Sequence, residues 1–209
     1  MAPTPVTRVS AAIAIVLALV LAHAAGARAQ QLDLTPGFDP GPPQDMRKIA
    51  FLEGRWAVTP EFGDVRDLSR PWLATKTVTT TFRPRLGGAF LEADLAVTWP
   101  DGQVWQTTSI WSFDRFRKTF RVVYLDDLWG LLDVYEGDFV DGRLTLSNER
   151  AATLGPPGAD GRRLIGRTVV RDITPGGFVI EWETSADGRT WTRAGLRWVF
   201  RRAASPEFP

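Results

Sequence analysis

The sequence predicts an all-β protein, a single antiparallel meander β-barrel of about ten strands preceded by one short helix. Three observations carry the prediction. Apolar and polar residues alternate with a period of two through most of the chain, as in strands that bury one face. Turn residues break that alternation about every eight to twelve positions, the spacing of an all-β barrel or sandwich. The breaks hold Asp101-Gly102, Asp141-Gly142, Asp160-Gly161, Gly176-Gly177 and Asp187-Gly188, pairs that supply the positive φ angles of tight hairpins. Strands joined in sequence by hairpins form a meander, and closing a meander removes its exposed edges.

Taken in order, the chain opens with Arg8 ahead of an apolar run over residues 11–22. That run is about half the roughly twenty residues a membrane-crossing helix needs. Ala27-Arg28-Ala29 then matches the A-x-A pattern of a signal-peptidase site. Residues 1–29 are expected to be a signal peptide cleaved near Ala29, giving a periplasmic or secreted protein without a membrane span. Residues 30–44, rich in Pro and Gly and without periodicity, read as a flexible leader, and 203–209 as a tail. The barrel is expected over 45–202. Its short helix starts at Asp45 as N-cap, places Met46, Ile49 and Leu52 at a spacing of three, and ends at Gly54, where it would plug the closed end.

Strands are expected over 54–59, 75–83, 89–99, 103–113, 119–126, 131–138, 143–147, 163–173, 177–185 and 190–201. The hairpin after Trp99 can be read in register. Pro100 and Gly102 suit a type I turn with a bulge, so Val97 faces Trp105, Leu95 faces Thr107, Ala93 faces Ser109 and Leu91 faces Trp111, all on one side. Glu92, Asp94, Gln106 and Thr108 occupy the other, wet side. A four-residue turn over 114–117 carries the inner face onto Phe120, Val122, Tyr124 and Asp126 and leaves Arg121 outside. In the last hairpin, Phe178, Ile180, Trp182, Thr192, Ala194, Leu196, Trp198 and Phe200 turn inward, and Arg193 and Arg197 point to solvent. For 131–138 two signals oppose each other: the apolar pair Leu132 and Val134 would bring Glu136 inside, whereas the Asp141-Gly142 hairpin requires the other parity.

Composition excludes several chemistries. The chain has no cysteine, so it has no disulfide, thiol nucleophile or thiolate metal site. Its one histidine, His23, falls in the predicted signal peptide, which removes histidine triads and histidine-bound zinc or haem from the mature chain. The 25 basic and 24 acidic residues nearly balance, which argues against nucleic-acid or anionic-membrane partners. No cofactor and no metal are expected. Asp126 and Asp127 could offer oxygen ligands, but adjacent strand residues point to opposite faces.

Phe51-Leu52-Glu53-Gly54-Arg55-Trp56 resembles the FLxGxW opening of the lipocalin-like (calycin) barrels, in particular an uncharacterised bacterial branch. Leu86-Gly87-Gly88-Ala89-Phe90-Leu91, Phe113-Asp114-Arg115 and Trp198-Val199-Phe200-Arg201 resemble that branch in order and spacing. The resemblance implies a cup-shaped barrel in which Arg201, or in second place Arg202, stacks on Trp56 in a structural role. It also places a large loop, 60–72, over the mouth, where Phe62 and Trp72 could reach a ligand. A TDY-like segment, the second lipocalin signature, is not evident.

The inner face is bulky at its ends but small at Ala93, Thr107, Ser109 and Ala194, which leaves room for a cavity. Trp105, Trp111, Tyr124, Trp182 and Trp198 would give flat contact area, and Tyr124 with Asp126 the orienting polar groups; equally, these rings could simply fill a core. The first functional expectation is binding of a small apolar or aromatic molecule, by a monomer or homodimer. The second is a cofactor-independent isomerase, cyclase or lyase in which Asp126 and Tyr124 act as a buried acid–base pair. The third is an envelope interaction protein without a ligand. The segment from Ser185 to Trp191 resembles the Asp-box of sialidases with a spacer missing and is read as turn chemistry.

Overall fold

The computed structural model describes residues 41–64, 67, 69–154 and 161–204. The predicted signal peptide, most of the leader, Asp160 and the end of the tail lie outside the described residues. The strands are β1 (Gly54–Phe62), β2 (Leu73–Ala74), β3 (Val78–Arg85), β4 (Phe90–Thr98), β5 (Val104–Asp114), β6 (Thr119–Asp126), β7 (Leu132–Val140), β8 (Arg143–Ser147), β9 (Ile165–Thr174), β10 (Gly177–Ser185) and β11 (Thr192–Arg202). Leaving β2 aside, each strand pairs antiparallel with the next in a meander, β1 with β3 and onward, and β1 pairs with β11 to close a ten-strand barrel. The extra strand, β2, has two residues and lies beside the far end of β1.

The alternation read from the sequence places the core. Val97 faces Trp105, Leu95 faces Thr107, Ala93 faces Ser109 and Leu91 faces Trp111. Trp111 in turn faces Val122, and Ser109 faces Tyr124. All eight of these inner residues of β4 and β5 are buried, while Asp94 and Gln106 on the opposite face are exposed. For β7 the hairpin parity prevails. Asp141 and Gly142 have φ of 50° and 74°, the pair of positive angles that a tight two-residue turn needs. Val140 therefore faces Arg143, Tyr135 is buried opposite Val122, and Leu132 is left 59% exposed. Backbone geometry at a tight turn outweighs the burial of one leucine.

Gly176-Gly177 departs from its expected turn chemistry. Neither glycine has a positive φ; the neighbouring Asp172 does, at 55°. A Cβ on Gly177 would lie 2.5 Å from the Phe200 carbonyl, so glycine is needed there for the close approach of β11. The turn itself is held by Thr174, whose hydroxyl bonds both the carbonyl and the N–H of Gly177.

A 3₁₀ helix, Gln44–Leu52, closes one end. Its three-residue turn brings Met46, Ile49 and Leu52 onto one edge, and all three are buried. Asp45 is not the cap. Pro43 holds that position, and Asp45 sits in the first turn, 2.6 Å from Lys48 Nζ. The Trp56 indole N–H bonds the Leu52 carbonyl at 2.7 Å, tying helix to barrel. Phe82, Phe178 and Phe200 pack behind it.

Arg202, not Arg201, covers the Trp56 ring, with its guanidinium carbon 3.8 Å from the centroid. The register explains the correction: Trp56 pairs with Arg202, and Arg201 faces Ala57 on the outer side. Arg193 and Arg197 lie on the outer side, Arg193 exposed and Arg197 half-buried. Arg193 is paired with the buried Glu181, and Arg197 with Glu61 while lying under the Trp72 ring. Trp72 thus packs on the barrel's outer wall. Thr192 is exposed rather than inward, because a bulge opposite Glu181 to Glu183 breaks the alternation where β11 begins. No helix among the described residues is long and apolar enough to cross a membrane.

Candidate functional site

The open end of the barrel is built where β4, β6 and β10 finish and β5, β7 and β11 begin. A cavity of ≈ 290 Å³ lies there. Its wall holds Trp99, Trp105, Trp129, Trp182 and Trp198 together with both tyrosines of the chain, Tyr124 and Tyr135. Small side chains make the space: Thr107 and Ala194 belong to the lining. The rings touch in sequence, Trp99 to Trp105 at 5.8 Å, Trp105 to Trp198 at 5.7 Å, Trp198 to Trp182 at 4.5 Å and Trp182 to Tyr124 at 5.9 Å. Such edge and tilted contacts hold each ring in place, so the wall is largely preformed.

Of the residues anticipated from the sequence, Trp105, Tyr124, Asp126, Trp182 and Trp198 meet at this cavity. Trp111 does not. It is 1% exposed and lies deeper, between Phe82 and Tyr124, as part of the packed half. Phe62 packs on Trp99 at 4.9 Å, at the rim.

Asp126 is half-buried, and its Oδ1 accepts the Trp129 backbone N–H at 2.7 Å. Its carboxylate therefore shapes the loop that carries Trp129 to the cavity. Burial pushes the Tyr124 phenol well above its ordinary range; the nearby Thr168 hydroxyl pulls the other way, and the Asp133 carboxylate adds a smaller rise. Tyr135 is raised by the same causes, burial first and Asp133 second. Both phenols stay protonated near neutrality, which makes them fixed donors rather than bases.

Trp99, Trp129, Tyr135 and Glu183 also line the cavity without having been expected there from the sequence, and so does Asp133. It sits on the inner face opposite Tyr124 and accepts Thr153 Oγ1 at 2.5 Å and Asn148 Nδ2 at 3.2 Å. Asn148 is itself 1% exposed and also accepts the Gly166 N–H at 2.7 Å. The one signal that could have placed Asp133 inside was the parity of the Asp141-Gly142 hairpin.

Several polar atoms of the lining have no hydrogen-bond partner among the described residues: the indole N–H groups of Trp99, Trp105 and Trp198, and the Tyr124 hydroxyl. A buried donor left unpaired costs about 1–3 kcal/mol. The cup is therefore apolar in area and rich in N–H and O–H groups that can donate to an oxygen or nitrogen of a guest.

A closed antiparallel meander, plugged at one end and cupped at the other, defines a calycin-like barrel. The chain belongs to the family described as Protein of unknown function (DUF1579), whose model matches residues 42–202. No curated protein matches it.

Proposed function

We propose that this is an exported lipocalin-like binding protein that holds one small, flat, apolar or aromatic molecule in the cup. The observation that carries the reading is the aromatic-walled cavity of ≈ 290 Å³ with unpaired donors in its wall. Pockets for small molecules have this character, mostly apolar with a few polar groups that set orientation. In this role Trp105, Trp182 and Trp198 supply flat contact, Tyr124 supplies a donor, and Asp126 holds the loop at the rim.

Titration with naphthol followed by tryptophan emission is the direct test. Saturable quenching with a dissociation constant on the order of 10⁻⁵ M is expected for about a dozen non-hydrogen atoms, and Ala194→Phe, which fills the cup, should abolish it. Linear, unsaturable quenching that is the same in the variant would end the proposal. Export rests on Arg8, the apolar run 11–22 and the Ala27-Arg28-Ala29 pattern. The first residue of the protein recovered from the periplasm or medium should be Gln30, and an intact Met1 in the recovered protein would refute cleavage.

A further inference from the structure

Resting on the binding role proposed above, we infer that the ligand of the cup is an organic cation, a flat arylalkylammonium or quaternary ammonium rather than a neutral or acidic molecule. The charged side chains that line the cavity are Asp126, Asp133 and Glu183, with no lysine or arginine among them. Glu183 is already matched, since Arg167 Nε lies 2.6 Å from its Oε2. Asp126 and Asp133 are not. The hydrogen bonds they accept come from neutral groups, the Trp129 backbone N–H for the first and Asn148 and Thr153 for the second. Among the described residues neither has a cation within ion-pair distance.

Two carboxylates beside a cup of aromatic rings set up an unbalanced negative field in a region of reduced dielectric, where charge interactions are stronger than in water. The ring faces act in the same direction, because the aromatic quadrupole presents its negative side to a guest held against the face. Asp133 emerges opposite Tyr124 and Asp126 opposite Thr107, which places both carboxylates on neighbouring strands of one wall. An ammonium placed at that wall keeps its carbon body against Trp182 and Trp198. An anion would meet repulsion from both carboxylates and would find no counter-charge in the lining.

Calorimetry on the full-length protein with three ligands of one ring system tests the charge alone: naphthylmethylammonium, naphthalenemethanol and naphthoate. The ammonium should bind about tenfold tighter than the alcohol and naphthoate weakest, with the preference shrinking as salt is added. Asp133→Asn should narrow the gap between ammonium and alcohol, read as the ratio of their two dissociation constants in the same variant. Because Asp133 also anchors Asn148 and Thr153, Asp126→Asn and the wild-type ranking decide the matter if that variant does not fold. Equal binding of ammonium and alcohol, or tightest binding of naphthoate, overturns the charge inference and leaves the binding role standing. Heat traces at the level of dilution for all three ligands would remove both.

Discussion

Arg202 shows how much one register position decides. Its guanidinium lies 3.8 Å from the Trp56 ring and donates to the Glu53 carbonyl at 2.7 Å, so it fastens the last strand to the turn that opens the first. Arg201, one residue earlier, faces out and is exposed. Arg202→Ala is therefore expected to lower the unfolding free energy by about 1 kcal/mol, and Arg201→Ala to leave it within measurement error. Urea melts of the two variants side by side check this, and equal losses would mean that the contact over Trp56 contributes nothing. The sequence offered both arginines. Trp198 and Phe200 alternate inward, and carrying that alternation two residues further selects Arg202, whereas the family resemblance points first to Arg201.

The β10–β11 hairpin illustrates an element held by side chains at its turn. Asp187 accepts the backbone N–H groups of Arg189 and Thr190 at 2.8 Å each, and Ser185 Oγ donates to it and accepts from Gly188. Those N–H groups hold the Asp187 carboxyl down at about 2, below its ordinary 3.8. A depressed carboxylate stabilises the fold above its unfolded value and loses that effect as pH falls through the folded one. The contribution is expected to be complete above about 4 and gone below about 2. A carboxyl titration by NMR should show Asp187 changing near 2, and a midpoint near 4 would mean the turn bonds are not formed. Expecting turn chemistry from Ser185 to Thr190 needed only local residues. The bulge that follows, with Gly195 at φ 72°, could not be expected in this way, because it depends on how β11 must bend to meet both β10 and β1.

At the scale of the molecule, closure is the most distant pairing. Residues at the start of β1 meet those at the end of β11, Trp56 opposite Arg202 and Val58 opposite Phe200. Loop-closure entropy must be overcome before such contacts form, so folding should be slow for the chain's size, in the millisecond to second range. Removing β11 leaves β1 and β10 as open edges and strips Trp198 and Phe200 from the core. A chain ending before Thr192 is expected to show no cooperative urea transition by tryptophan emission; a sharp transition would show that the open sheet is stable alone. The cavity belongs to this scale as well. Its lining comes from β5 to β7 and β9 to β11 and from the loops after β4 and β6, and it exists because the barrel closes around Thr107 and Ala194.

Local pattern along the chain is enough to place the all-β class, the meander order, the turn positions and the inner faces of β4, β5 and β6. Those features follow from side-chain alternation and φ preferences, which act over a few residues. Only the tertiary structure decided which face of β7 turns inward, that Asp133 stands in the cup, that Trp111 lies below it, and that Trp72 covers the outside. Each of these depends on what a distant strand brings to the same place: Asn148 and Thr153 to Asp133, Phe82 to Trp111, and Arg197 to Trp72. Local pattern is silent about such partners because burial is shared between residues that the chain keeps far apart until the barrel closes.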